Sequence, residues 1–483
     1  MNSELKIDTP IERMQGLLEA QRAAFMDEGH VSAETRISRL NKALDLVFDH
    51  RDELVEALSE DFGGRSKHQS LMSDIYNTME HIKFNRKHLA KWMRPDKRKV
   101  AIPMNLFGAK ARVEYQPKGV VGVLGTWNFP IFTTIAPMVA ALAAGNRVIV
   151  KFSEVTPITA ALMGRLIEQY FDEDVVACVN GGPAVGEAFS SLGFDHILFT
   201  GAGSIGKHVM RAASEVLTPV TLELGGKSPV IVARDADLEE TTQRILAGKA
   251  LNGGQVCLSP DYLFLPEESL QPFLAFAREW TAEAFPTMLN NPDYTSIVNE
   301  RHRQRLLAYI DDAREKGAEI VTINPASENF SDQQSSQKIP LTLVVNPTDD
   351  MAIMQEEIFG PIIAVKTYQD VSECIRYINA HPHPLGLYLF TDDVNLQRDV
   401  LDKTLSGGVT INDVIAHVSC QDLPFGGIGA SGMGNYHGEF GFRTFSHART
   451  VYKQTKINLQ KLGGMLPPYD SKSDKTLQGM LKK

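Results

Sequence analysis

The 483-residue chain carries 49 Lys plus Arg against 59 Asp plus Glu, a formal charge of -10, so no overall field draws it to nucleic acid or to an anionic membrane, and a small neutral or anionic metabolite is the better-suited partner. Its length suggests about three domains and is ample for a full core. The four cysteines, Cys178, Cys257, Cys374 and Cys420, lie far apart with no CxxC pair and no companion His spacing, which argues against a metal site and a disulfide framework and points to a reducing, cytoplasmic setting.

At the N-terminus no basic stretch leads into an apolar run, and no window approaches the ~18 apolar residues of a membrane span, so a soluble, unprocessed chain with no membrane partner is expected. Helical periodicity then predicts three helices up to about Trp92. The first carries Met14, Leu17, Leu18 and Phe25 on one stripe; the second is capped by Ser32 and continues from Asp52 through Leu58; the third starts near Ser70 and ends before Pro95. Between Pro103 and Gly119, Ala111, Val113 and Tyr115 alternate with polar residues, as in a projecting hairpin.

From Val120 the pattern changes to short apolar strands separated by helices: VVGVLGT, RVIVKF, VVACVNGG, HILFTG and PVTLELGG. This predicts an α/β fold with a mainly parallel, doubly wound sheet, whose ligand sites lie at the carboxyl ends of strands. Three clusters sit at such ends: Trp127 to Pro130, Lys151 with Glu154, and Gly201 to Gly206. A second strand and helix series begins after Gly226, and Asn324 to Gln337 reads as a polar surface loop.

Two motifs carry chemistry. In Asn252-Gly-Gly-Gln-Val-Cys257 the glycines allow a tight turn that leaves a thiol unshielded, and a thiolate is the strongest side-chain nucleophile near neutral pH provided that amides or positive charge stabilise it. Gly201-Ala-Gly-Ser-Ile-Gly206 follows a strand and opens a helix, matching a dinucleotide fingerprint that holds phosphate on helix amides. That fingerprint expects a ribose-binding acid about 20 residues on, where Glu223 stands; since several strands already precede this one, Glu223 is assigned another role.

TWNFP, VKFSE, FTGAGSIGK, TLELGGKSP, NGGQVC, QEEIFGP and PFGGIGASGMGNYHGEFGFRTFSH occur in the order seen in aldehyde dehydrogenases. The chain resembles that family from about Leu17 to Lys453, and within it the dimeric class 3 branch and the bacterial enzymes acting on coniferyl aldehyde. The resemblance implies NAD(P)-dependent oxidation of an aldehyde, aromatic if coniferyl-like, to its acid through a thiohemiacetal and a thioester. It makes Cys257 the nucleophile, Asn128 the oxyanion donor and Glu223 the base that activates the hydrolytic water. Lys151 and Glu154 would bind the adenosine ribose of NAD, with NADP also accommodated. Gly201 and Gly206 would hold the pyrophosphate, though Ala202 stands where many relatives carry Ser. Gly225 would let the backbone approach the nicotinamide, with Glu357 and Phe359 fixing its ribose and ring.

The implied organisation is an NAD-binding domain over residues 1–102 and 120–226, a catalytic domain over 227–415, a small β oligomerisation arm from 103–119 and 416–450, and a tail over 451–483. A homodimer follows from the same resemblance. Two other readings use Cys257 or discard it: a thiol acyltransferase, esterase or acylating dehydrogenase, and a silent binding protein. Glu223, suited to thioester hydrolysis, and the intact set of three catalytic residues favour the dehydrogenase.

Overall fold

The computed structural model describes residues 8–331, 333 and 336–481. The first seven residues of the expected leaderless start, three positions in the polar loop and the last two of the tail lie outside the described residues. The helical N-terminal region is α1 (Ile11–Glu28), α2 (Ala33–Asp49) and α3 (Arg51–Asp61). Ser32 caps α2, its hydroxyl accepting the Thr35 N–H at 3.1 Å. The expected continuation of α2 is instead the separate α3, because His50 departs from helical geometry at φ -105 and ψ 13. No glycine or proline marks that break. The third expected helix starts as one turn at Lys67–Ser70, widens into a π-helical turn at Leu71–Tyr76 and continues as α4 (Asn77–Trp92).

After α4 the chain forms a hairpin of β1 (Asp96–Arg98) and β2 (Lys110–Pro117), which begins before Pro103. Five parallel strands follow: β3 (Val120–Leu124), β4 (Arg147–Lys151), β5 (Val176–Val179), β6 (His196–Gly201) and β7 (Val220–Leu224). Their spatial order is β7-β6-β3-β4-β5. Successive strands after β3 thus run to one side and later ones to the other, so the order reverses beside β3 and leaves a crevice at the carboxyl ends of β3 and β6. Every residue of β3 and β4 is buried, as expected of a parallel sheet covered on both faces. One cover is α5 (Phe132–Ala144), apolar and buried on all sides, which packs on α2, α4 and β4.

A second sheet has the order β10-β11-β12-β9-β8-β13-β14. Its strands are β8 (Ser228–Val232), β9 (Pro260–Pro266), β10 (Glu319–Ile323), β11 (Leu341–Val345), β12 (Ile362–Tyr368), β13 (Gly386–Phe390) and β14 (Gly408–Ile411), parallel except for β10. The short β15 (Gly432–Met433) returns to pair antiparallel with β7. Finally β16 (Ser446–Lys453) pairs along the whole of β2, completing a three-stranded antiparallel sheet β1-β2-β16.

Asn146 joins this small sheet to the parallel one. Its buried side chain accepts the Lys118 and Gly119 N–H groups at 2.7 and 3.0 Å and donates to the Ala141 and Phe445 carbonyls at 3.0 and 2.9 Å. Leaving such buried groups unpartnered costs about 1 to 3 kcal/mol each. Asn146→Ala is therefore expected to lower stability by about 3 kcal/mol, read as an earlier urea midpoint; an unchanged midpoint would show that the junction is held by other contacts.

Candidate active site

The helix Leu238–Ala250 ends in a reversal built from three consecutive left-handed residues: Asn252 at φ 51, Gly253 at φ 60 and Gly254 at φ 74. Asparagine tolerates this conformation and glycine adopts it without cost in side-chain contacts. At Gly254 no side chain is possible, since a Cβ would lie 2.2 Å from the Gly360 carbonyl. Gln255 then locks the turn: its amide donates to the Asn252 and Ser296 carbonyls at 2.8 and 3.0 Å and accepts the Val298 N–H at 2.9 Å. Cys257 follows, partly open to a cavity of about 390 Å³.

The crevice at the ends of β3 and β6 forms the opposite wall. The cavity brings together Cys257, Asn128, Glu223, Gly201, Gly225, Glu357 and Phe359, whereas Lys151, Glu154 and Gly206 lie outside its lining. The Asn128 side-chain amide donates to the Gln255 carbonyl at 3.0 Å, two residues before the thiol. Its second N–H has no partner among the described residues. Glu223, in β7, is 3% exposed, and neither carboxylate oxygen has a hydrogen-bond partner.

Burial dominates the electrostatics here. It raises Glu223 well above the ordinary carboxylate range, because nothing nearby compensates the loss of water. Burial and the neighbouring Asp261 push Glu357 to about 8, against the pull of the Gly226 N–H, Lys227 and Arg305. Burial, then Glu357 and Glu223, push the Cys257 thiol up to about 12. The sequence alone suggested that amides or positive charge would surround this thiol; the structure places the Cys257 and Leu258 amides beside it, pulling its pKa down, together with the Glu357 and Glu223 carboxyls, which push it up. As each carboxyl takes up a proton, its repulsive part of that shift falls away.

The residues fit a nicotinamide dinucleotide. The helix Gly203–Glu215 starts after Ala202 with no side-chain cap, and the space where a Gly203 Cβ would stand is empty within 4 Å, so its first amides are free for a phosphate. Gly206 brings this helix close to the sheet, since a Cβ there would meet Leu224 at 2.8 Å. Glu357 lies against Gly225, whose Cβ would meet its carboxylate at 2.1 Å, and Glu357 Oε1 is a buried acceptor without a partner. At the end of β4 the buried Lys151 ammonium donates to the Phe152 carbonyl at 3.1 Å and reaches the exposed Glu154 at 3.4 Å.

Several lining groups escaped the sequence reading. Thr200, opposite Glu223 in the β6–β7 register, has a buried hydroxyl with no partner. His302 stands 5.0 Å from the Trp127 ring, and burial together with Arg305 and Arg301 lowers it to about 4, keeping it neutral. Tyr436 lines the same cavity, and burial, then Glu223 and Cys257, raise its phenol. Thr200 and Tyr436 had a signal, as parts of the runs FTGAGSIGK and PFGGIGASGMGNYHGEFGFRTFSH, and His302 had none. Among the described residues no cluster of three His, Cys, Asp or Glu is placed to hold a metal ion, and no helix is long and apolar enough to cross a membrane.

The sequence pattern described as "Aldehyde dehydrogenase family" matches residues 11–451. The chain belongs to the aldehyde dehydrogenase family. It is 47% identical to the coniferyl aldehyde dehydrogenase of a Pseudomonas species, over 95% of this chain and 94% of that one. The substrate-bound structure of Staphylococcus aureus AldH superposes with a TM-score of 0.90 at 35% identity, covering 97% of this chain and 99% of that one. The NAD+ complex of a Bacillus cereus aldehyde dehydrogenase superposes at 0.82 and 27% identity, covering 93% and 90%. This aldehyde dehydrogenase is an oxidoreductase that converts an aldehyde to the carboxylic acid, and its cofactor is of the NAD type. The non-redox acyltransferase reading is not favoured.

Proposed function

We propose that Cys257, Asn128 and Glu223 carry the reaction on a bulky, aromatic aldehyde of the coniferyl aldehyde type. The observation that carries the assignment is that one cavity is lined by all three together with Gly225, Glu357 and Phe359. The Cys257 thiol gives its proton to solvent water and the thiolate attacks the aldehyde carbonyl, and the resulting oxyanion is held by the free N–H of the Asn128 amide and the Cys257 backbone N–H, a preorganised donor being worth ~3 to 4 kcal/mol at such a centre. Bound NAD supplies the acceptor for the hydride that leaves the thiohemiacetal. Glu223 then takes a proton from the water that attacks the thioester, and the acid departs as the thiol is restored. Trp127, Phe129 and Phe425 give the cavity aromatic walls, which support a planar aromatic substrate, as does the name of the Pseudomonas relative.

The cofactor we propose is NAD in preference to NADP, because the Glu154 carboxylate accepts from a free ribose hydroxyl and repels an added phosphate. Lys151 at 3.4 Å softens that repulsion. Catalytic efficiency is expected to be higher with NAD, and equal values for both would refute the preference. A cytoplasmic homodimer completes the proposal. Four free cysteines suit a reducing compartment, and β16 ends its sheet with an edge suited to a partner. Light scattering should give twice the chain mass, and a monomer or tetramer across a tenfold concentration range would contradict it.

The two half-reactions make different demands on protonation. Only ionised Glu223 can act as a base, and its titration is displaced upward, so hydrolysis should accelerate as pH rises beyond the ordinary carboxylate range. Cys257→Ala should abolish NADH formation. Glu223→Gln should give up to one NADH per site, with acyl-enzyme visible by intact-protein mass spectrometry, and should lose the rising pH limb of steady-state turnover. Near-normal turnover without an adduct would exclude Glu223 as the hydrolytic base.

A further inference from the structure

Arg65 and Asp74 form an ion pair at 2.6 Å with both side chains fully buried. Neither lies in a stretch that the sequence reading tied to function. Removing two charges from water is costly, and apolar residues of similar volume are commonly as stabilising, so a buried pair is weak evidence of stability and invites the question of what it orients. Here each partner also grips the loop that carries Asn128. Arg65 donates through Nη1 to the Asn128 carbonyl at 3.0 Å, and its guanidinium lies between the Phe62 and Phe129 rings, 4.9 and 5.1 Å from their centres. Asp74 accepts the N–H groups of Ile131 and Phe132 at 3.2 and 3.3 Å.

We infer that the Arg65–Asp74 pair is a positioning element for the Asn128 oxyanion donor, an inference that rests on the role proposed for Asn128. The loop is clamped at residue 128 by the guanidinium and at residues 131 and 132 by the carboxylate, and the two clamps are tied to each other. Asp74 sits in the π turn Leu71–Tyr76, where the extra residue per turn changes which side chains face inward. Ser73 and Asn77 on the same turns line the cavity, while Asp74 points to the loop. The Asn128 carbonyl also accepts from Asn252 at 3.0 Å, so the peptide plane next to the donor is fixed from both sides.

Arg65→Lys keeps the charge but loses the fork that reaches Asp74 and the Asn128 carbonyl together. Misplacing a reacting group by about 1 Å costs about 100-fold in rate, so the NADH burst is expected to slow by about 10- to 100-fold while the KM for NAD changes by less than about twofold. An aldehyde deuterated at the formyl carbon should show a larger isotope effect on that burst, which general loss of folded protein would not produce. In the Asn128→Ala background the same change should slow the burst by less than about threefold, the non-additivity of two residues acting through one group. Asp74→Asn, nearly isosteric, loosens the pair from the other side and carries the same expectations, so the test stands if one variant does not fold. Equal slowing in both backgrounds, or no slowing in either variant, would overturn the proposal. If Asn128→Ala alone leaves the burst unchanged, the oxyanion role itself is wrong, and the positioning role falls with it.

Discussion

One carbonyl oxygen, that of Asn128, holds the two halves of the site in register. It accepts from Arg65 on the helical side and from Asn252 in the cysteine loop, while the Asn128 amide in turn donates to the Gln255 carbonyl of that loop. The strand-end loop of the first sheet and the left-handed turn before Cys257 are thus bonded to each other by side-chain amides that donate to backbone carbonyls. In a dry interior each such bond is costly to break. The glycines at 253 and 254 make the turn possible, and this shared acceptor places it.

Around that frame the protein assembles groups whose ionised forms are all disfavoured. Glu223 and Glu357 are both raised by burial, and the Cys257 thiol is raised by burial first and then by their charge. A cavity of this kind is most stable neutral, because each proton removed leaves a charge with little water and few donors to compensate it. His302, lowered to about 4, belongs to the same pattern. The partial exposure of Cys257 toward the cavity then matters, since the environment of the sulfur is completed by whatever fills that space.

Much of the architecture was legible because it is written in local pattern. The five apolar runs after Val120 are five parallel strands, and the rule that such sheets bind at carboxyl ends located Asn128 and Gly201 at the reversal of strand order. The same rule does not reach Cys257, Glu357 and Phe359, which precede β9 and β12 and so approach from the amino ends of the second sheet. Cys257 was signalled by the glycines before it and Glu357 and Phe359 by the resemblance, none of them by periodicity. Arg65 and Asp74 were unreadable for a different reason: a buried charge in a helix looks like a solvated one until the π turn and the packing of α5 are known. The split between α2 and α3 and the early start of the hairpin at Asp96 likewise follow from tertiary contacts that no turn residue announces.

The two cavity carboxyls also differ in a way that residue type could not reveal. Glu357 has the Gly226 N–H against it and Lys227 and Arg305 within range, whereas Glu223 has no partner at either oxygen. Partners that stabilise the charged form leave Glu357 at about 8, and their absence leaves burial alone to act on Glu223. Glu357 is held in place against Gly225, which suits a carboxylate that binds a hydroxyl. Glu223 has no fixed partner, and burial raises its affinity for a proton above that of an ordinary carboxylate. That is the property a base requires when its task is to pull a proton from water rather than to hold a ligand.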